Sequence, residues 1–219
     1  MYAFIADVHL SPANRPDHTR FISWLRTVKP RAEEIFILGD LFDYWYSGME
    51  HLFQDVMAEL RAPGVQVIPG NRDFLLKTCP DEQITVSQAE EIQLSVYGTD
   101  TLIAHGHTLT EDDYGFKFVH AVAWPLLRIL DRRLPTRLKD SCARFLVRSS
   151  ASIRPPRAVI ADGIARTRGV EKVICGHLHR TVMEEHLIVL PAFFDSPTWL
   201  SWDREGPRFS VFDTDTTGC

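Results

Sequence analysis

Five short apolar segments of this chain each run directly into side chains that bind metal ions in proteins. Each segment is short and apolar enough to be a strand buried inside a sheet. The carboxyl ends of strands in an α/β protein meet at one edge of the sheet, where ligand sites form. The sequence therefore favours a fold that brings these five endings together. They are Asp7-x-His9, Gly39-Asp40, Gly70-Asn71, His105-Gly106-His107 and Gly176-His177-Leu178-His179.

Buried strands alternate with helical patterns in the first part of the chain. Apolar side chains recur at helical spacing over 16–29, and Pro30 ends this pattern. A second helical pattern covers 49–62 and lies between the strand-like segments 34–40 and 65–71. Alternation of this kind predicts βαβ units and a mainly parallel sheet.

A helical insertion interrupts the β-rich part of the chain. After the third strand, two strand-like segments joined through Gly98-Thr99-Asp100 predict a hairpin. Residues 113–168 then carry helical patterns only. Strand patterns return afterwards. We therefore expect a core formed by residues 1–112 and 170–219, with a helical lid inserted over 113–169.

The positive charge of the chain is concentrated in this insertion. Residues 114–170 contain twelve Lys or Arg and three Asp, a net charge of +9, whereas the whole chain carries −5. This asymmetry indicates an anionic partner for the insertion. A basic amphipathic segment is typical of a membrane-surface element, and its apolar side chains could also enclose acyl chains. A merely solvated helical face is the alternative.

Composition argues against several other classes of protein. Hydrophobic residues make up 45% and charged residues 24% of the chain, as in a globular protein. No apolar run reaches the ~20 residues that span a bilayer. The four cysteines form no C-x-x-C pair, which favours free thiols in a reducing compartment. We therefore expect a cytoplasmic protein, attached peripherally to the inner membrane, with no protein partner evident. We expect no nucleic-acid binding, since the core is acidic and lacks a basic groove with stacked aromatic residues.

The residue types at the five endings define the chemistry. Carboxylate, imidazole and amide ligands together suit a hard or borderline divalent ion such as Mn²⁺, Fe²⁺ or Zn²⁺. Two ions ~3.5–4 Å apart can clamp a phosphoryl group and activate a bridging water. The glycines beside the ligands allow close approach where a β-carbon would collide. By itself, the Asp7-x-His9 ending could equally be a capped strand end.

Taken in order, D-x-H, G-D, G-N, H-G-H and G-H-x-H resemble the motifs of the calcineurin-like metallophosphoesterases. The strings "ADVHLSP", "ILGDLFDYW", "GNRDFLL" and "HGHTLTEDD" resemble more closely the pyrophosphohydrolases of lipid A synthesis. Those enzymes cleave UDP-2,3-diacylglucosamine into UMP and 2,3-diacylglucosamine 1-phosphate. The resemblance implies a four-layered α/β/β/α sandwich with a helical cap, two divalent metal ions, with Mn²⁺ expected, and a lipid-linked UDP-sugar as substrate.

The same resemblance assigns roles to individual residues. It implies that one ion is bound by Asp7, His9 and His179, the other by Asn71, His105 and His177, and that Asp40 bridges them. The predicted catalytic residues are Asp40, as the bridging ligand, together with Arg72 and His107, whose roles rest on their own chemistry. The predicted substrate contacts are Asn71, Arg72, Asp112, Tyr114, Lys117, Lys139 and Arg157.

Arg72 restricts the class of substrate that the predicted site could hydrolyse. Many relatives carry a His after the Gly-Asn motif, where it can protonate the leaving oxygen. A guanidinium has a pKa above 12 and cannot act as that acid, but it can pair with phosphate oxygens. A diphosphate substrate is favoured, because a phosphomonoester leaves with little protonation. His107 stands where the lipid A enzymes usually carry Asp, and it is the candidate that could still supply a proton.

Two alternatives stay open at this stage. The nearest is a phosphoesterase of the same fold that acts on another nucleotide diphosphate or on a phosphodiester. The other is a non-catalytic metal-binding scaffold, although degenerate relatives should lose ligands first and this chain keeps its ligand set.

Overall fold

Two mixed β-sheets form the centre of the protein in a computed structural model that describes residues 1–110, 124–131, 133–143, 160, 163–195 and 197–212. In the first sheet, β1, β2 and β3 are neighbours and run parallel, with Phe4 opposite Phe36 and Ile37 opposite Val67. The parallel arrangement predicted for these strands is confirmed. The six strands are Tyr2–Ile5 (β1), Glu34–Leu38 (β2), Val65–Ile68 (β3), Thr85–Val86 (β4), Thr198–Asp203 (β10) and Gly206–Val211 (β11), in the order β11-β10-β1-β2-β3-β4.

The second sheet contains the predicted hairpin. Val96 pairs with Thr99, so the turn consists of Tyr97 and Gly98, which have φ angles of 48° and 89°. Positive φ at both central residues is typical of the tight turns that match strand twist. The turn begins one residue before the predicted Gly98-Thr99-Asp100 connection, and Thr99 and Asp100 already belong to the second strand. The strands are Glu91–Val96 (β5), Thr99–Ala104 (β6), Lys172–Cys175 (β7), Val182–Met183 (β8) and Leu187–Val189 (β9), in the order β5-β6-β7-β9-β8.

Helices cover the outer faces of the sheets. The predicted 49–62 helix is shorter than expected, because a 3₁₀ turn precedes it and Phe53 leaves helical geometry with φ −128°. The ring of Phe53 is fully buried against Phe42 and Trp45, so packing decides where this helix starts. The helices are Arg15–Val28 (α1), Gln54–Leu60 (α2), residues 124–131 (α3) and 136–143 (α4) of the insertion, and Ile164–Arg168 (α5), with 3₁₀ turns at Lys29–Arg31, Glu50–Leu52 and Phe74–Thr78.

Three apolar layers hold these elements together. Between the sheets, Phe4 and Phe36 of the first meet Ile103 and Ile174 of the second. The outer face of the first sheet packs against α1 and α2, and the outer face of the second packs against α5. The four-layered α/β/β/α arrangement is therefore confirmed. None of the helices in the described part of the chain has the length and apolar character needed to cross a bilayer.

Candidate metal centre

The predicted ligands lie where strands of both sheets end. Asp7, Asp40 and Asn71 follow β1, β2 and β3 of the first sheet, whereas His105 and His177 follow β6 and β7 of the second. Backbone hydrogen bonds join these endings, since the N–H of Asp7 donates to Gly39 and that of Gly176 donates to His105. The structure therefore gathers endings from distant parts of the sequence at one edge of the sandwich.

A first cluster consists of Asp7, His9 and His179. The Nε2 atoms of the two imidazoles are 3.3 Å apart, and Asp7 Oδ1 lies 3.3 Å from His179 Nε2 and 3.9 Å from His9 Nε2. One ligand atom from each of the three residues falls within 4.8 Å of the others. This is the set predicted for one ion.

A second cluster lies directly beside the first and shares Asp7 with it. Asp7, Asp40 and His105 form another group whose ligand atoms lie within 4.8 Å of one another. His105 Nε2 is 3.6 Å from Asp40 Oδ1 and 2.9 Å from Asn71 Oδ1, while its Nδ1 is hydrogen-bonded to the carbonyl of Leu38. That carbonyl accepts from Nδ1 and leaves Nε2 of His105 as the atom that faces the centre. The structure thus brings Asn71, His105 and Asp40 together, as the prediction requires.

His177 lies next to the second cluster. Its ring centroid is 5.0 Å from that of His105, and its backbone N–H donates to Asp7 Oδ2 at 2.8 Å. Burial, together with the charge of His105, lowers the pKa of His177 to about 4. The imidazole is therefore neutral near pH 7, which is the form that binds a metal ion.

Five of the predicted ligands adopt left-handed backbone conformations. Their φ angles lie between 48° and 69°, a region that residues with a β-carbon rarely enter. Each such residue costs roughly 1–3 kcal/mol, and conformations of this kind cluster at functional sites. The surrounding fold therefore holds the backbone of these residues in a conformation that they would not adopt by themselves. The five are Asp7, His9, Asp40, His177 and His179.

Two glycines allow the ligands to approach this closely. A β-carbon on Gly70 would collide with the carboxylate of Asp40 and would lie 2.5 Å from its backbone nitrogen. A β-carbon on Gly176 would lie 2.5 Å from Asp7 Oδ2. Real β-carbons do not come this near, so the close approach predicted for these glycines is required by the structure.

The charges and hydrogen bonds of the cluster fit a divalent cation. Asp7 is 1% exposed, and its Oδ1 atom accepts no hydrogen bond of normal geometry from the described residues. Burial alone would raise the pKa of Asp7, but the close imidazole of His179, 3.3 Å from Oδ1, and the other neighbouring imidazoles outweigh burial and lower it. A buried carboxylate that stays ionised needs a positive partner. The oxygen and imidazole donors around it are those that hard or borderline divalent ions prefer.

Arg72 lies at the rim of the centre. Its backbone N–H donates to Asp40 Oδ1 at 2.9 Å, and its guanidinium Nε is 3.6 Å from Asp40 Oδ2. Asp43 lies 3.6 Å from Nη1 of Arg72 and 3.7 Å from Nδ1 of His9. Because the side chain of Arg72 is 28% exposed, its guanidinium can reach a phosphate group bound at the centre.

Asp73 has a role that sequence reasoning missed. Its buried carboxylate accepts hydrogen bonds from the backbone N–H groups of Gly70, at 2.7 Å, and Phe42, at 3.2 Å. Burial and the charge of Asp40 raise the pKa of Asp73 to about 7. The residue therefore joins the loop after β2 to the loop after β3. Its position directly after Asn71 and Arg72 was the only signal of this role in the sequence.

His107 lies beside the ligands and is almost fully buried. It is 1% exposed, its ring is 5.3 Å from that of His105, and its Nε2 is 3.9 Å from Glu90 Oε2. Its ring is also 5.7 Å from that of Trp124 in α3. The predicted catalytic role of His107 stays a prediction, and its neighbours here include a partly exposed acid, Glu90, and an aromatic ring.

The seven predicted substrate contacts divide into three groups. The described residue Lys139 pairs with Asp131 at 3.2 Å and donates to the carbonyl of Ser47 at 3.1 Å, so its ammonium group already has two partners. Asn71 and Arg72 lie in the centre itself. The remaining four, Asp112, Tyr114, Lys117 and Arg157, lie outside the described residues.

Comparisons with known proteins cover nearly the whole chain. A family model described as calcineurin-like phosphoesterase matches residues 2–181. The UDP-2,3-diacylglucosamine hydrolase of Edwardsiella ictaluri is 34% identical over 206 residues, which cover 82% of this chain and 76% of that protein. The protein of the same name from Actinobacillus succinogenes is 33% identical over 230 residues, or 97% of this chain and 96% of that protein. Among solved structures, an archaeal phosphodiesterase has 16% identity and a TM-score of 0.48, covering 96% of this chain and 99% of that one.

Proposed function

This chain belongs to the calcineurin-like phosphoesterase family and is a metal-dependent hydrolase, as its motifs predicted. From this premise we propose that it hydrolyses the pyrophosphate bond of UDP-2,3-diacylglucosamine. The products would be UMP and 2,3-diacylglucosamine 1-phosphate. Relatives that carry the name of this activity are 33–34% identical over most of the chain. Water adds to the α-phosphorus, and the bond from that phosphorus to the bridging oxygen breaks.

The observation that carries the proposal is the convergence of seven potential ligands at one edge of the sandwich. We propose that Asp7, His9 and His179 hold one ion, that Asn71, His105 and His177 hold the other, and that Asp40 lies between them. Divalent ions in such a site polarise a phosphoryl oxygen and generate hydroxide at neutral pH. Mn²⁺ is the ion we propose. The loops that carry the predicted ligands are held in place before any substrate binds, because hydrogen bonds between their backbones and the hydrogen bond from Gly70 to Asp73 join them.

Arg72 is proposed to stabilise the charge that develops on the leaving sugar phosphate. We expect an Arg72→Met variant to keep its metal content and to release UMP roughly 10²–10³-fold more slowly, the loss typical of one preorganised donor. Arg26→Met is the matched control, because Arg26 is exposed and contacts Glu59 on α2. A UMP release rate unchanged in Arg72→Met would contradict this role.

The insertion is proposed to form a lid over 113–169 whose outer face contacts anionic lipid. Leu126, Ile129 and Leu138 are 55%, 53% and 52% exposed. Arg128, Arg133 and Arg137 are exposed beside them, whereas Asp131 of the same stretch is buried. Exposed apolar side chains among arginines are typical of a surface that binds anionic membranes. A cytoplasmic enzyme attached in this way would meet a substrate held in the inner membrane.

The membrane proposal predicts binding that depends on salt. We expect the protein to pellet with phosphatidylglycerol-containing vesicles at low ionic strength and to be released as ionic strength rises, because exposed charges are screened. Vesicles of phosphatidylcholine alone are the control. Equal pelleting at both ionic strengths, or with both vesicle types, would argue against an electrostatic attachment.

The function itself is tested with purified protein, UDP-2,3-diacylglucosamine in detergent micelles, and either Mn²⁺ or EDTA. UMP should form with Mn²⁺ and not with EDTA. The alternative substrate classes are another nucleotide diphosphate or a phosphodiester. Metal-dependent hydrolysis of an aryl phosphodiester without any UMP from the lipid nucleotide would favour them. Absence of metal-dependent hydrolysis of every substrate would favour a non-catalytic scaffold.

A further inference from the structure

Helix α3 of the insertion is held against the core at both of its described ends. At its beginning, the ring of Trp124 stacks on Phe74, with centroids 4.1 Å apart and planes 10° apart. The same indole is 6% exposed and borders His107. Phe74 follows Asn71 by three residues and His107 follows His105 by two. Trp124 therefore touches two loops that carry predicted metal ligands.

Two helical turns later, Asp131 forms a second and polar attachment. Its carboxylate is 5% exposed and accepts the backbone N–H of Ser47 at 3.1 Å and also the hydroxyl group of Ser47. Lys139 of α4 lies 3.2 Å from this carboxylate and donates to the carbonyl of Ser47. Asp131 thus joins α3, α4 and the core loop 41–49, which starts directly after Asp40.

The burial of this attachment makes it sensitive to substitution. The side chains of Asp131 and Lys139 are 4% and 11% exposed, so their pairing is shielded from water. Breaking a buried pair by removing one charge is strongly destabilising, because the remaining charge keeps its desolvation cost. A charged residue that served only to keep the surface soluble would be exposed to water. The position of Asp131 instead couples the placement of the insertion to a loop of the metal centre.

We propose that Asp131 is a positioning residue that fixes helix α3 on the core, so that Trp124 forms a defined wall beside the metal centre. The proposal rests on the proposed function for its kinetic consequence only. Asp131 touches neither the predicted ligands nor Arg72, and it acts through α3. A lid that is held less firmly should bind the lipid-bearing part of the substrate less tightly, while the reacting phosphorus meets an unchanged centre.

The test compares Asp131→Asn with the wild-type full chain by two independent measurements. Asparagine keeps the shape and can still accept from Ser47, but Lys139 loses its anionic partner. We expect KM for UDP-2,3-diacylglucosamine to rise about tenfold, the effect of losing one charge-assisted hydrogen bond. We expect kcat with Mn²⁺ to stay within about twofold, since the chemical step is unchanged. Amide hydrogen exchange over 124–131 should become faster.

Two further variants keep the proposal falsifiable if Asp131→Asn folds poorly. Lys139→Met removes the same ion pair from the other side and should give the same rise in KM and in exchange. Ser141→Ala is the control, because Ser141 is exposed and its hydroxyl bonds only to Arg137 within its own helix among the described residues. Its exchange and kinetics should match the wild type.

The outcomes separate this proposal from the proposed function. Unchanged exchange over 124–131 in Asp131→Asn would overturn it, and so would a fall in kcat with loss of bound metal at unchanged KM. If the wild type releases no UMP, the proposed function fails, and the exchange measurement alone then decides whether Asp131 positions the insertion.

Discussion

An Asp40→Asn variant is expected to fold normally and to release UMP at least ~10³-fold more slowly than the wild type, a loss of about 4 kcal/mol of transition-state stabilisation. Asp40 is 2% exposed, accepts the N–H of Arg72, and lies 3.6 Å from His105 Nε2. Asparagine has nearly the same shape, so packing is retained. It lacks the negative charge that the proposed pair of cations would share, and metal content should fall with activity.

Thermal unfolding with and without Mn²⁺ provides a second measurement for Asp40→Asn. A ligand that binds only the folded state stabilises it, by about 2.7 kcal/mol at a concentration of 100 Kd. Mn²⁺ should therefore raise the Tm of the wild type and raise that of the variant much less. Asp100→Asn is the matched control, because Asp100 is an exposed carboxylate on β6. Wild-type turnover by Asp40→Asn would contradict the assigned centre.

A Gly70→Ala variant is expected to lose both stability and activity. The added β-carbon would collide with the Asp40 carboxylate and lie 2.5 Å from the Asp40 nitrogen, which is backbone and cannot rotate away. Overpacking of this kind costs roughly 1–3 kcal/mol and sometimes more. Asp40 must shift to relieve the collision, so UMP release should fall together with metal content. Denaturant unfolding and metal analysis measure the two effects.

Gly163→Ala is the matched control for this substitution. Gly163 has φ −66°, and a β-carbon built on it meets no atom within 4 Å. The same chemical change should therefore alter the free energy of unfolding by no more than about 1 kcal/mol, the usual range for a glycine at a helix start. If Gly70→Ala behaved like Gly163→Ala, the close approach of the two loops would not be needed for function.

The parts of the fold that were predictable are those coded by local patterns. The period of apolar residues located α1, and the run of apolar residues before Asp40 located β2. The pairing of β10 with β1 was not predictable, because these strands are about 200 residues apart and nothing local selects the partner. The start of α2 was misplaced for a similar reason, since the buried ring of Phe53 overrides the helical pattern.

The same distinction between local patterns and long-range packing applies to the candidate site. Asp7, Asp40 and His105 could be predicted to meet, because each directly follows an apolar strand and strand ends converge. The partners of Lys139 could not be predicted, because Asp131 and Ser47 come together only when the insertion packs on the core. Lys139 therefore looked available for a substrate in the sequence, whereas its ammonium group already bonds two groups in the structure.

The apolar layer between the two sheets has a consequence for the chemistry at the edge of the sandwich. One sheet supplies Asp7 and Asp40, and the other supplies His105 and His177, so the thickness of that layer sets the spacing between the two halves of the centre. Side chains such as Phe4 and Ile103 thus act as spacers. Replacing one of them with a smaller side chain would bring the two sheets closer together. The distance between the ligands of the two sheets would then change, and activity would fall although no polar residue had been altered.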